Sequence, residues 1–173
     1  NGKGGVGLAW GAKIMAIKAG QSTGTFTSSD IAKAIDYAHA MGADVINMSF
    51  GGTEKSYLVE QALASAFSDC VLVASAGNDG LPTTDAPDGF IQKEDIYPAG
   101  YRYVLGVMAT DQSGDLASFS NWDYKNNANC EYELTAPGVG IFSTLPGNRY
   151  ATWSGTSMAA PCVSAAAAIV RSK

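Results

Sequence analysis

The chain has 173 residues, which is enough for one domain with a substantial core. Hydrophobic residues make up 46% and charged residues 16%, a balance typical of a folded globular protein rather than a disordered chain. A net charge of −5 argues against a nucleic-acid partner. No apolar run approaches the roughly 20 residues that a membrane span requires, so we expect neither nucleic acid nor a membrane as a partner.

The first half of the chain predicts alternating strands and helices. A strand is predicted over residues 12–19, and a helix over 31–41 whose apolar positions recur at helical spacing. The run TSSD at 27–30 is typical of a capping box that opens this helix, and Gly42 is its expected stop. A short, nearly continuous apolar strand over 45–50 follows, as expected for a strand covered on both faces.

The rest of the chain continues the same pattern. We predict a helix over 54–67, strands over 71–75 and 103–109, and a last helix that starts near Ser157. Pro161 lies close enough to the start of that helix to be tolerated. This order predicts an α/β fold of three layers, in which helices cover both faces of a central, mostly parallel sheet.

Candidate site residues lie at the ends of two predicted strands. The sequence SFG at 49–51 ends one strand, and AGN at 76–78 follows another. In open α/β sheets, ligands bind beyond the carboxyl ends of the strands. We therefore expect a pocket and Asn78 at the same edge of the sheet.

The sequence GTSMAAP at 155–161 places Ser157 between a glycine and the first turn of a helix. The first backbone N–H groups of a helix lack intrahelical partners and point towards an approaching ligand. A hydroxyl nucleophile next to such donors is the combination that acyl transfer needs. The alternative role for Ser157 is a helix N-cap.

Three segments together resemble the subtilisin-like serine peptidases, in the order that this family has them. They are DVINMSFGG at 44–52, VLVASAGNDG at 71–80 and GTSMAAP at 155–161, with weaker matches at 134–138 and 142–145. The resemblance covers nearly the whole chain. It implies a subtilisin-like fold and a serine endopeptidase that forms an acyl-enzyme on Ser157.

The resemblance also implies roles for further residues. The Asn78 side-chain amide and the Ser157 N–H would be the two oxyanion donors, although Asn78 also suits a turn before Asp79. Two walls would enclose the substrate side chain that precedes the scissile bond, formed by Ser49, Phe50 and Gly51 and by Ser75, Ala76 and Gly77. Gly24 and Thr25, with Phe26, would hold upstream substrate residues, unless 20–28 is an ordinary turn.

A general base for Ser157 is missing from the sequence. The single histidine, His39, lies inside the predicted helix over 31–41, and its surroundings do not match the family's histidine motif. In this family the aspartate and the histidine precede the segments matched here. We therefore expect residues 1–173 to form a partial catalytic domain without the upstream aspartate and histidine segments. The alternative is a catalytically inactive fragment or a degenerate scaffold.

The same resemblance implies a polypeptide substrate and an extracellular, cell-surface or periplasmic location. No cofactor is expected to be required, while structural calcium in the intact domain stays open; Asn1 and Asp111 are the only candidate ligands. We also expect self-association, or pairing with the missing N-terminal part. Cys70 and Cys162 are expected to be buried thiols, and a Cys70–Cys130 disulfide stays open.

Overall fold

The computed structural model describes residues 4–84, 86, 93–124 and 131–173, so the predictions for Asn1 and Cys130 lie outside the described residues. This part of the chain contains three helices and six strands. They are α1 (Ser28–Ala40), β1 (Val45–Met48), α2 (Tyr57–Ala66), β2 (Val71–Ser75), β3 (Leu105–Thr110), β4 (Leu134–Pro137), β5 (Ile141–Leu145), β6 (Arg149–Trp153) and α3 (Thr156–Arg171). Within the described ranges, the five strands from β2 to β6 follow one another without a helix between them.

The central sheet has the order β1-β2-β3-β4, and every neighbouring pair is parallel. Met48 at the end of β1 lies opposite Ala74 of β2, and Ser75 lies opposite Val107 of β3. The carboxyl ends of β1, β2 and β3 therefore meet at one edge of the sheet, as the sequence predicts.

Alternate residues of β2 face different helices, because successive side chains of a strand point to opposite faces of the sheet. Leu72 and Ala74 are buried in a cluster that includes residues of α1 and α2. Val73 is buried with Ala159 and Ala160 of α3 in a second cluster. The sheet is thus covered on both faces, which confirms the predicted three-layer arrangement.

The predicted start and stop of α1 are confirmed. Thr27 Oγ1 accepts a hydrogen bond from Asp30 N at 3.1 Å, which satisfies one of the free donors of the first turn. At the other end, Gly42 has φ +77° and its N–H donates to His39 O at 3.0 Å. Because only glycine adopts this conformation without strain, Gly42 stops the helix.

Other element boundaries differ from prediction by a few residues. The helix α2 begins after Ser56, whose Oγ accepts from Val59 N, and not at Glu54. The strand expected over 45–50 ends at Met48, because Ser49 turns towards α3 and hydrogen-bonds to it. The strand expected over 103–109 is β3, shifted towards the C-terminus because Tyr101–Val104 forms a turn.

The strand predicted over residues 12–19 is wrong. This segment has no strand structure, and the side chain of Ile14 is 88% exposed. A strand requires hydrogen bonds to a neighbour, and among the described residues β1 pairs only with β2, not with this segment. An apolar run alone therefore does not make a strand where no partner lies beside it.

The sequence reading did not predict the antiparallel hairpin β5–β6. Its turn contains Gly147 and Asn148, both with positive φ, and the two strands pair from Ile141–Trp153 to Leu145–Arg149. Such φ values suit glycine and asparagine in tight hairpin turns. The PGN sequence at 146–148 was the signal that could have revealed it.

Two described cysteines are free thiols. Cys70 is buried, as predicted, and its Sγ lies 2.9 Å from Ala43 O; Cys162 is only half-buried. Burial raises the pKa of both thiols, which keeps them in the unreactive neutral form. In the described part of the chain, no helix has the length and apolar character needed to cross a membrane.

Candidate active site

Ser157 is the second residue of α3, whose N-cap is Gly155. The N-cap role considered for Ser157 is therefore wrong. Its hydroxyl instead donates to the carbonyl oxygen of Ser49, at 3.1 Å, across the carboxyl edge of the sheet. The side chain is half-buried, so it can be reached from outside.

A second hydrogen bond joins the Ser49 hydroxyl to the Ser157 carbonyl. This bond can form because of Pro161. Ser49 Oγ donates to Ser157 O at 2.9 Å. In a regular helix, that carbonyl would accept from the N–H of residue 161, but proline has none. Pro161 thus leaves the Ser157 carbonyl free for Ser49, and the pair of bonds joins the end of β1 to the start of α3.

Asn78 is held by Thr156 at the other side of Ser157. Asn78 Oδ1 accepts from Thr156 N at 2.8 Å and from Thr156 Oγ1 at 3.0 Å. A backbone N–H can only donate, so the amide atom that faces it must be the oxygen. The nitrogen Nδ2 of this exposed side chain therefore points away, and it has no partner among the described residues.

The two donors expected for an oxyanion both lie near the N-terminus of α3. The N–H of Ser157 belongs to the first turn of α3, where backbone donors lack intrahelical acceptors. A Cβ built on Gly155 would lie 3.8 Å from Asn78 Nδ2, so the amide lies beside the residues that lead into Ser157. Together the two N–H groups can hold negative charge that develops near the serine.

The two predicted walls lie at the same edge. Gly51 follows the end of β1 and Gly77 follows the end of β2, and a Cβ built on either glycine would meet the side chain of Ile96. Ser49 and Phe50 are half-buried on the first wall, whereas Gly51 is exposed. On the second wall, Ser75 and Ala76 are buried and only Gly77 is partly accessible. The glycines therefore form the inner surfaces, with the other four residues beside or behind them.

The loop over 20–28 adjoins the first wall through an aromatic contact. Phe26 stacks on Phe50 with ring centroids 4.5 Å apart and planes 20° apart. Within the loop, Gly24 N donates to Gln21 O, and Gln21 N donates to Thr25 O. Gly24 and Thr25 thus form a turn, and this turn lies next to the pocket wall.

His39 lies at the opposite edge of the sheet. Its Nε2 is 2.8 Å from Asp69 Oδ2, and both residues flank the amino ends of β1 and β2. Hydrogen bonds from His39 and Ser68 lower the pKa of Asp69. Because Ser157 lies at the carboxyl edge, His39 does not serve it as a base, in agreement with the structural role expected from the sequence.

Asp111 is a turn residue in the structure. Its Oδ1 accepts from Ser113 N at 2.8 Å and from Asp115 N at 3.1 Å. No group of three or more His, Cys, Asp or Glu side chains that could hold a metal ion occurs in the described ranges. The Oδ1 atom of Asp111 is therefore engaged in a turn.

Three polar residues of the site escaped the sequence analysis. Thr156 is fully buried; besides holding Asn78, its Oγ1 accepts from Gly77 N at 3.2 Å. Asn47 Nδ2 donates to Ser49 Oγ, and Ser164 of α3 donates to Asn47 Oδ1. Thr156 could have been found from its place between Gly155 and Ser157, but Asn47 and Ser164 are linked only by the tertiary fold.

A model of the subtilase family matches residues 1–173. Subtilisin DY from Bacillus licheniformis is 41% identical over 169 residues, which cover 97% of this chain and 57% of that protein. A thermophilic serine proteinase from Bacillus sp. (strain AK1) is 42% identical over 174 residues, covering 100% of this chain and 39% of its own length.

Solved structures that resemble this chain are also serine proteinases or proteases by name. A cold-adapted subtilisin-like serine proteinase matches with a TM-score of 0.81 at 28% identity, over 98% of this chain and 58% of that one. The S41 psychrophilic protease matches with a TM-score of 0.71 at 32% identity, over 84% of this chain and 50% of that one. The chain thus spans only part of the length of each of these proteins, and it belongs to the subtilase family.

Proposed function

We propose that this chain carries the nucleophile half of a serine endopeptidase site, with Ser157 as the nucleophile. One observation carries the proposal most of all. Thr156 fixes the Asn78 amide through Oδ1, so that Nδ2, which has no partner among the residues described, lies near the N-terminus of α3 where Ser157 presents its hydroxyl. Oδ1 satisfies a first-turn donor of α3, and the amide nitrogen Nδ2 of a side chain held in this way suits an oxyanion.

In the proposed reaction, Ser157 Oγ attacks the carbonyl carbon of a peptide bond and transfers its proton to a general base. The Ser157 N–H and Asn78 Nδ2 stabilise the tetrahedral oxyanion. When the intermediate collapses, the C–N bond breaks, the base returns its proton to the leaving amine, and an acyl-enzyme remains on Ser157. Water then attacks the ester in the same manner. No cofactor takes part in these steps.

The general base comes from outside these 173 residues. His39 is the only histidine of the sequence, and it is bonded to Asp69 at the far edge of the sheet. A serine hydroxyl without an adjacent base is a weak nucleophile. We therefore propose that the 173-residue chain by itself is close to inactive. The competing function is a scaffold that never cleaves peptides. The lack of a histidine near Ser157 favours this function too.

The proposed substrate is an extended polypeptide bound along the exposed Gly51 wall, and the proposed place of action is outside the cell. Proposed partners include a second copy of this chain or further chain of the same domain. Val6, Trp10 and Ile14 support this, because their apolar side chains are 72%, 81% and 88% exposed.

The test compares two samples, the protein in the form that its source organism produces and the 173-residue chain alone. Each is treated with a fluorophosphonate probe and assayed with a chromogenic peptide. We expect rapid labelling and turnover only for the former. Ser157→Ala should remove both, by about 10⁶-fold in kcat, the size measured when a subtilisin loses its nucleophile. The matched variant Ser154→Ala, in the exposed segment before α3, should keep both. Turnover that survives Ser157→Ala would reject the proposal.

A further inference from the structure

The space between the two pocket walls is occupied by a side chain from a distant part of the sequence. A Cβ built on Gly51 would overlap Ile96 Cγ2, and one built on Gly77 would lie 2.7 Å from Ile96 Cγ1. Each arm of this branched side chain therefore touches one wall. Only 6% of Ile96 is exposed, so it fills the space and does not merely border it.

The backbone around Ile96 is fixed on both sides. Its N–H donates to the hydroxyl of the buried Tyr132 at 2.9 Å, and its carbonyl accepts from Gly100 N at 2.8 Å. The next residue, Tyr97, exchanges two backbone hydrogen bonds with Gly52, directly after the first wall. These hydrogen bonds fix the backbone from which the Ile96 side chain extends to the two walls.

Asn121 also lies against the second wall, next to Gly77. A Cβ on Gly77 would lie 2.5 Å from Asn121 Nδ2, and the Asn121 side chain is completely buried. Its Oδ1 is held by the N–H groups of Asp79 and Leu81 at 2.9 and 3.1 Å. Asn121 and Ile96 thus both restrict the space next to Gly77.

We propose that Ile96 restricts the substrate residue directly before the scissile bond to glycine or alanine. This inference rests on the proposed function, because it takes the walls at Gly51 and Gly77 as the pocket for that residue. Interiors are close-packed, and adding methylene groups to a filled space forces side chains and backbone to shift. A larger substrate side chain would have to displace Ile96, whereas a hydrogen or a methyl group would not.

The experiment uses the protein in the form that its source organism produces. It compares two peptides that are identical except for the residue before the cleaved bond, which is alanine in one and phenylalanine in the other. One methylene in a hydrophobic pocket changes kcat/KM by about 10–200-fold. We therefore expect kcat/KM for the alanine peptide to exceed that for the phenylalanine peptide by about 10²-fold. Ile96→Gly and the milder Ile96→Ala should raise kcat/KM for the phenylalanine peptide at least about tenfold and leave the alanine peptide nearly unchanged.

Ile35→Ala is the matched control, because Ile35 is also buried (2% exposed) but lies in α1, away from the walls. It should not change the ratio of the two kcat/KM values, which does not depend on how much folded enzyme is present. If Ile96 variants fail to fold, the wild-type protein still provides a test. A denatured protein mixture is digested, and the residue before each cut is identified by mass spectrometry; cuts after glycine and alanine are expected.

Two failures can be told apart. Ser157-dependent hydrolysis that favours the phenylalanine peptide in the wild type, or a ratio unchanged by Ile96→Gly, would overturn the role of Ile96 alone. Absence of Ser157-dependent hydrolysis of either peptide would overturn the proposed function, and the role of Ile96 with it.

Discussion

Polar side chains at the two edges of the central sheet differ in burial and in hydrogen bonding. At the carboxyl edge, the fully buried Thr156 bonds to both Asn78 and Gly77, and Asn78 Nδ2 has no partner in the part of the chain that the structure describes. At the amino edge, His39 and Asp69 satisfy each other while 26% and 67% of their side chains stay exposed. A buried residue that holds an amide with its N–H group available is what the proposed active site requires. An exposed ion pair whose two groups bind each other is typical of local structure.

The largest difference between the edges should appear when Asn78 is changed. Asn78→Ala removes one of the two proposed donors for the oxyanion, and we expect kcat to fall by about 10²–10³-fold, the size measured when a subtilisin loses an asparagine donor of this kind. KM should change little, because the oxyanion exists only after attack. Steady-state kinetics measures both. An equal loss on Asp79→Asn, which alters the neighbouring exposed carboxylate, would contradict a special role for Asn78.

Thr156→Val should give the next largest effect. It removes the hydroxyl that holds Asn78 Oδ1 and leaves the Gly77 N–H without its partner. Misplacement by about 1 Å can cost about 10²-fold in rate, so we expect a fall in kcat of up to that size. An unpaired donor should also lower the free energy of unfolding by about 1–3 kcal/mol.

Thr156→Ser is the control for that prediction, because it keeps the hydroxyl. It should restore kcat, even if the lost methyl group lowers the melting temperature. If the serine variant were as slow as the valine variant, Thr156 would act through packing rather than by positioning Asn78.

The exposed apolar residues predict a moderate effect on association. We expect the 173-residue chain to associate in a concentration-dependent way, measured by light scattering on dilution. Replacing Trp10 and Ile14 by serine should reduce this association, since both side chains are largely exposed. Lys13→Ser, between them, is the control. A monomer at every concentration would contradict the prediction.

The smallest effect belongs to the amino edge. Asp69 has a lowered pKa in the folded chain, so its stabilising bond is present above its ordinary pKa of 3.8 and is lost as the pH falls through the lower folded value. Asp69→Asn should therefore unfold at a slightly lower temperature than the wild type at pH 5, and the difference should vanish in strong acid. A difference that grows on acidification would contradict this assignment.

Local signals in the sequence predicted much of the fold. Thr27 and Gly42 bound α1 because caps depend on neighbouring residues, and the apolar run over 71–75 is β2. The strand expected over 12–19 failed because pairing depends on a neighbour that a sequence pattern does not reveal. Element boundaries shifted where tertiary bonds, such as that from Ser49 to α3, took precedence over the pattern.

The site was predictable to the extent that it lies in short motifs. Ser157, Asn78, Gly51 and Gly77 all lie at strand or helix ends that can be recognised in the sequence. Ile96 could not be placed, because it reaches the walls from a segment 45 residues after Gly51 and carries no motif. Contacts of this kind arise from packing, which only the three-dimensional structure reveals.

The central claim is that Ser157 works at the carboxyl edge without help from His39. The most direct measurement compares kcat/KM of the His39→Gln variant with that of the Ser157→Ala variant. Both substitutions are made in the protein in the form that its source organism produces. We predict that His39→Gln keeps activity within about twofold, because an exposed pair at the far edge contributes little, while Ser157→Ala abolishes it. A loss in His39→Gln comparable to that in Ser157→Ala would contradict the account.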